Sequence, residues 1–191
     1  NGNRVILVGM TKDNVTADGP LTGVVPLKAI VITDPIRENA KATFDYFKRE
    51  GVAIKVISGD NPATVAAIAK KAGLEGAENY IDMSTIQTKE ELVKAANRYS
   101  VFGRVSPQQK KMLVEALQKH GHKVAMTGDG VNDILALREA DCSIAIAEGS
   151  DAARQVSQLV LLNSDFSSLP QVLAEGRRVV NNITRVAGVF F

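Results

Sequence analysis

The sequence predicts an α/β fold in which a parallel sheet is wound with helices, an antiparallel strand pair precedes it and one long helix follows it. Apolar runs of strand length alternate with helical patterns through the middle of the chain, which is how a sheet covered on its faces reads. The first 33 residues carry no helical stripe, whereas Ser167 to Arg185 carries one throughout.

Arg4 to Gly9 and Val24 to Thr33 are strand-like runs joined by the polar stretch Thr11 to Thr22, which favours an antiparallel pair. Lys28 to Thr33, Ala53 to Ile57, Val101 to Gly103, Lys123 to Met126, Ser143 to Ala147 and Leu159 to Leu162 are the strand candidates. Between them, Ile36, Ala40, Phe44 and Phe47 mark one helix face. Val65, Ile68, Ala69 and Ala72 mark a second, and Met112, Leu113, Ala116 and Leu117 a third. Gly73 and Gly121 stand where helix C-caps fall. Leu169, Val172, Leu173, Val179, Val180, Ile183 and Val186 form the stripe of the last helix, and Val189-Phe190-Phe191 gives it a cut rather than a finished end.

Composition narrows the function classes. Of 191 residues, 23 are Lys or Arg and 21 are Asp or Glu, and aromatic residues make up 5%, so neither a basic footprint nor a stacking surface points to nucleic acid. No apolar run approaches the roughly 20 residues that cross a bilayer, and the chain as given reads as soluble, without an export signal. The single cysteine, Cys142, excludes an internal disulfide framework and a cysteine-based zinc cluster. His120 and His122 have no third ligand nearby in the sequence and read as solvated.

The strongest local signal is Thr127-Gly128-Asp129-Gly130-Val131-Asn132-Asp133, between an apolar strand and the helical run Ile134 to Ala140. Its glycines let the backbone turn sharply, so that Asp129 and Asp133 can converge on one small volume. Paired carboxylates that leave positions for water and phosphate suit Mg2+. An ordinary Gly-Asp turn followed by a helix-capping Asp is the plain alternative. Ile57-Ser58-Gly59-Asp60-Asn61-Pro62 ends a second apolar strand in the same way. If both loops lie at the carboxyl edge of one parallel sheet, Ser58 faces the crevice of Asp129; otherwise Ser58 or Asp60 is a helix N-cap. Phe102-Gly103-Arg104-Val105-Ser106-Pro107 leads into a helix begun by Pro107, with Lys110 in its first turn. A lysine there opposes the helix dipole unless an anion or carboxylate offsets it, and the Asp129 carboxylate is the expected partner. Lys111 reads as a solvated charge.

Taken in order with Asp34-Pro35-Ile36-Arg37, these motifs resemble the phosphoryl-transfer site of haloacid-dehalogenase-type folds, and within them the P-type ATPases, the phosphorylated cation pumps. Ala136 to Asp141, Glu148 to Asp151, Leu159 to Leu162, Glu175-Gly176-Arg177 and Asn181-Asn182 continue the similarity, which covers roughly Ile30 to Thr184 and is nearer to calcium-type than to heavy-metal pumps. The resemblance implies that residues 1–33 are the last strands of a nucleotide-binding domain, 34–166 a phosphorylation domain, and 167–191 the start of a stalk helix leading to membrane. It implies ATP and Mg2+ as cofactors, and a membrane domain and an actuator domain of the same pump as partners. The chain would then lie at the cytoplasmic face of the cell membrane, and the transported cation would bind elsewhere.

Carried over motif by motif, the resemblance gives Asp129 to Mg2+, Asp133 to the metal waters and the loop, and Asn132 to the phosphate environment. Ser58, where the family more often has Thr, and Gly59 would donate hydrogen bonds to the transferred phosphoryl group, and Lys110 would neutralise its charge, as phosphoryl transfer requires. Asp60 and Arg104 would reach ATP, with Asp34 and Arg37 in the hinge beside it; a surface salt bridge of Arg37 with Glu38 or Asp45 is the plain reading. The family's nucleophile lies in an Asp-Lys-Thr-Gly loop, and no Asp-Lys-Thr occurs in the 191 residues. The chain therefore reads as the distal portion of a pump, inactive alone, with the nucleophile strand missing between the strands that lead to Ser58 and Asp129. Two rival readings stay open: a self-contained phosphatase with Asp34 as nucleophile, although Ile36 stands where a general acid is usual, or a phosphate-binding module without turnover.

Overall fold

Short β-branched runs followed directly by capped helices leave the chain few arrangements other than parallel strands linked by helical crossovers. The computed structural model describes residues 4–13, 19–20, 22–32, 36–163 and 165–190. Within these, β1 (Arg4–Met10) and β2 (Val25–Ile32) pair antiparallel with a register shift between Val8 and Gly9, as the absence of a helical stripe predicts. Their apolar side chains, among them Val5, Leu7, Leu27 and Val31, are exposed.

The helix α1 (Ala40–Arg49) is followed by β3 (Val56–Ile57) and α2 (Pro62–Lys71), then by β4 (Tyr80–Asp82), α3 (Lys89–Arg98), β5 (Val101–Gly103) and α4 (Pro107–Lys119). β3, β5 and β4 form a three-stranded parallel sheet in that order. A second parallel sheet, in the order β6-β7-β8, is built from β6 (Ala125–Gly128), β7 (Cys142–Ile146) and β8 (Leu159–Leu161), with α5 (Ile134–Glu139) and α6 (Asp151–Val156) as crossovers. The helix α7 (Leu169–Phe190) closes the described chain. Among the described residues β3 and β6, which lead to Ser58 and Asp129, are edge strands of their respective sheets.

Side-chain packing carries the connection between the two sheets. Alternate residues of β5 face opposite sides: Phe102 packs with Met83, Leu92 and Leu113, while Val101 packs with Val65, Ala69 and Leu74. On the first side α4 turns Leu113 to one core and Val114 to the next, where Met126, Ala136 and Leu137 lie. On the other side α1 sets Phe44 against the core of the first sheet and Phe47 against Ile144, Leu161 and Leu169 of the second. Gly73 and Gly121 take positive φ of 91° and 84° after α2 and α4, the left-handed backbone that suits glycine at a helix end.

The structure adds elements the periodicity does not reveal: β4, α3 and the short α6. It also moves the start of the first helix from Ile36 to Ala40. No helix of the described residues is long and apolar enough to cross a membrane.

Candidate functional site

Among the described residues, the loops after β3 and β5 stand at the carboxyl ends of one parallel sheet and the turn after β6 at the carboxyl end of the other, and Lys110 of α4 links to that turn through Asp133. On the first sheet, the Ser58 amide donates to the Phe102 carbonyl (2.9 Å), the Val105 amide to the Ser58 carbonyl (3.0 Å) and the Arg104 amide to the Asp60 carbonyl (2.8 Å). These bonds sew the loop after β3 to the loop after β5. The Ser58 hydroxyl accepts from the Asp60 amide (3.1 Å), a local turn, while Asn61 caps α2 through the amides of Ala63 and Thr64. The N-cap is thus Asn61, not Ser58 or Asp60. A methyl group built on Gly59 would meet nothing within 4 Å, so a bound oxyanion has open access to its backbone.

α4 starts as the sequence predicts. Pro107 is at its first position, and Ser106 and Gln109 exchange side-chain and backbone bonds in a capping box. That fixes Lys110 in the first turn, where its side chain is nine-tenths buried. Its Nζ lies 2.6 Å from Asp133 Oδ1, so the carboxylate that offsets the unfavourable helix end is Asp133 rather than Asp129. The other Asp133 oxygen accepts from the Gly130 amide at 3.1 Å. The turn can fold under itself because residue 128 is glycine: a methyl group there would lie 2.5 Å from Asp133 Cβ.

Asp129 is exposed at the mouth of this turn, as is Asn132. The Asp129 carbonyl accepts from the Ser150 amide at 2.7 Å, and Gly149 lies so close that an added methyl group would meet the same carbonyl at 2.5 Å. The glycine-acid stretch Glu148 to Asp151 therefore buttresses the Asp129 backbone. Among the described residues no group of three His, Cys, Asp or Glu side chains could hold a metal. What is present is an all-oxygen donor set, with one exposed carboxylate beside a second whose oxygens are both engaged. That set fits Mg2+, which commonly takes one or two carboxylates and completes its shell with water and phosphate.

Other predicted residues lie elsewhere. Arg37 faces Asp165 at 3.6 Å, and Asn39 donates to the same carboxylate at 3.3 Å; Glu38 and Asp45 are not its partners, Asp45 pairing with Lys41 instead. Asp34 lies outside the described residues. Lys111 is half-buried between Glu115 and Glu139, each 3.4 Å away, and its pKa is raised by hydrogen bonds to both. Burial pushes the Cys142 thiol up, in keeping with an inert apolar role. His120 Nδ1 lies 2.7 Å from the Ala116 carbonyl.

Asp82, at the end of β4, is absent from the sequence-derived set. Its Oδ2 accepts from Arg104 Nη1 at 2.9 Å, and its Oδ1 from the Ser84 hydroxyl and amide. The available signal is the Asp-x-Ser turn at Asp82-Met83-Ser84; its partner stands 22 positions away.

The arrangement defines a class: strand-end loops from a parallel sheet, with a buried lysine bonded to the carboxylate of a Gly-Asp-Gly turn. The haloacid dehalogenase-like hydrolase family matches residues 10–141, and the chain belongs to it. Within that class the likeness is to cation pumps of the P-type. The chain is 52% identical over 191 residues to the "Probable cation-transporting ATPase exp7" of Streptococcus pneumoniae, covering 99% of this chain and 24% of that protein. It is 47% identical over 193 residues to the "Calcium-transporting ATPase CtpE" of Mycobacterium tuberculosis, with the same coverage. Among solved structures, a zinc-transporting PIB-type ATPase in an E2.Pi state superposes with a TM-score of 0.67 at 27% identity, over 96% of this chain and 24% of that one. The chain thus spans about a quarter of the length of the curated relatives it matches.

Proposed function

We propose that this chain is the phosphoryl-handling part of a cation-transporting P-type ATPase, working with an aspartate nucleophile from outside these 191 residues. The observation that carries the reading is two sets of bonds at strand ends, one tying the Val105 and Arg104 amides to the Ser58 and Asp60 carbonyls and the other tying Lys110 and the Gly130 amide to Asp133. Such a frame holds charge and donors still, and positioned charge is most of what phosphoryl transfer requires.

In this reading the Gly59 amide and the Ser58 hydroxyl donate to the transferred phosphoryl group, and Lys110 supplies positive charge from below. Asp129 is the carboxylate that would hold Mg2+, Asp133 steadies the loop and meets metal-bound water, and Asn132 lines the phosphate side. A bound Mg2+ would screen phosphate charge. Asp60 and Arg104 face the nucleotide, and Arg37 joins the hinge to the body through Asp165. The full-length protein, at the cytoplasmic face of a membrane, would couple ATP hydrolysis to cation movement.

The test is phosphoenzyme formation. Incubated with radiolabelled ATP, the isolated chain should form no acid-stable acyl-phosphate, whereas the complete ATPase should form one that is lost in Asp129→Asn. Labelling of the isolated chain that disappears in Asp34→Asn would instead establish a self-contained phosphatase.

A further inference from the structure

The geometry points to Asp82 as a positioning residue that sets the Arg104 guanidinium for nucleotide. The inference rests on the proposed role of Arg104 and assigns the residue that makes that role possible.

Arg104 is held twice. Its backbone has φ of 51°, the only positive φ of a non-glycine residue among the described residues, in a region that is sterically unfavourable for a residue with a side chain. The conformation is maintained by the Arg104 amide bond to the Asp60 carbonyl at 2.8 Å. Strain kept by surrounding bonds is characteristic of positions that must aim something. What is aimed here is a flexible side chain, and Asp82 removes its freedom.

The placement of Asp82 follows from the sheet. β4 runs parallel to β5 with Asp82 opposite Gly103, so the carboxylate emerges one residue from Arg104 at the same strand-end edge. It is itself fixed from behind, because Oδ1 accepts the Ser84 amide at 3.0 Å and the Ser84 hydroxyl at 2.6 Å. The intervening Met83 is fully buried and anchors the turn to the core. Oδ2 is thereby directed at Arg104, and the ion pair uses Nη1. A planar guanidinium that meets a carboxylate through one nitrogen still presents the rest of its fork to a phosphate or ribose oxygen. The Ser84 hydrogen bonds and then Arg104 keep the Asp82 carboxyl below its ordinary range, which favours its charged form.

An exposed ion pair adds little to folding. Its effect belongs in binding, where a pre-set arginine loses less side-chain freedom when the ligand arrives. The experiment measures the ATP dependence of turnover by the complete ATPase. Asp82→Asn should raise KM for ATP by about 3- to 10-fold and leave kcat within about twofold, the split expected when binding alone is weakened. Ser84→Ala, which removes the hydroxyl bond behind Asp82 but keeps the amide bond and the ion pair, should raise KM by less than Asp82→Asn does. Asp82→Glu, which keeps the charge on a longer arm, should fall between, and it carries the test if the Asn variant does not accumulate.

The decisive arm is the double variant. If Asp82 acts through Arg104, Asp82→Asn should add nothing to the KM of Arg104→Ala. Additive effects, or a fall in kcat at unchanged KM, would overturn the assignment. Should Arg104→Ala itself leave KM unchanged, the nucleotide role of Arg104 fails. Should Arg104→Ala raise KM while Asp82→Asn does not, the role of Arg104 stands and Asp82 is excluded.

Discussion

The two groups of candidate site residues, one on each parallel sheet, are held by different means. Beside β6 the site is built inward: a lysine and an aspartate, each nine-tenths buried, share a 2.6 Å ion pair beneath a glycine turn. Beside β3 and β5 it is built outward, from backbone bonds between loops and an ion pair whose arginine side chain is half-exposed. Burial makes the first half intolerant, because Lys110 left alone loses its carboxylate and Asp133 left alone keeps only the Gly130 amide. Exposure frees the second half to trade partners, because water and ligand can replace what is lost. The contrast sorts site residues into those whose substitution damages the fold and those whose substitution damages only binding.

The largest effect should come from breaking the buried pair. Lys110→Met is expected to cost about 3–5 kcal/mol in equilibrium urea unfolding, and adding Asp133→Leu should recover much of it; a loss of less than about 1 kcal/mol, the range of exposed pairs, would show that this half is no different from the other. Next comes Gly128→Ala. An added methyl group meets Asp133 Cβ and carboxylate atoms at 2.5 to 2.9 Å, so overpacking should destabilise by about 1–3 kcal/mol and move Asp133 off Lys110, visible as lost Mg2+ or phosphate-analogue binding.

Smaller effects probe the exposed half and the rim. Arg104→Asn, a residue that tolerates positive φ, should relieve up to about 1 kcal/mol of backbone cost while weakening ATP binding, so stability and affinity move in opposite directions; a parallel loss of both would erase the contrast. The smallest concerns acid. The Lys123 ammonium, the Val124 amide and Gln118 hold the Asp141 carboxyl far below the usual range. A depressed carboxylate contributes stability above its unfolded pKa of about 4, and the contribution fades as pH falls toward the folded value. Asp141→Asn should therefore flatten the dependence of stability on pH below about 4 and leave its slope above pH 6 unchanged.

Much of this architecture is legible in the residues. Pro107 with Ser106, and Gly73 and Gly121, mark helix ends because proline, serine and glycine each satisfy one local geometric demand. The parallel alternation is legible because Val56, Val101 and Ile144 repeat strand chemistry ahead of helical stripes. What escapes has physical reasons. β4 is Tyr80-Ile81-Asp82, with one aliphatic residue and an acid, so it lacks the apolar run that marks the other short strands. α3 buries Leu92, Ala95 and Ala96, a stripe with one large apolar residue among charged neighbours, although its capping box at Thr88 and Glu91 is readable.

At the site, the anomaly of a lysine at a helix start is visible in the sequence, but its partner is not. Asp129 and Asp133 lie four residues apart, and only the tight turn at Gly128 decides which carboxylate goes beneath. Asp82 is illegible for another reason. Its register opposite Gly103 exists only once the sheet has formed.

The bridging of two sheets by α1 and α4 has a mechanical consequence. Where strands are neighbours, sliding one along the other breaks a ladder of backbone hydrogen bonds. Among the described residues no such ladder joins β3 to β6, and the halves are strapped by Phe44 and Phe47 on one face and by Leu113 and Val114 on the other. Shear between them therefore costs side-chain repacking and side-chain polar contacts, the buried Lys110–Asp133 pair among them, and spares the backbone ladders within each sheet.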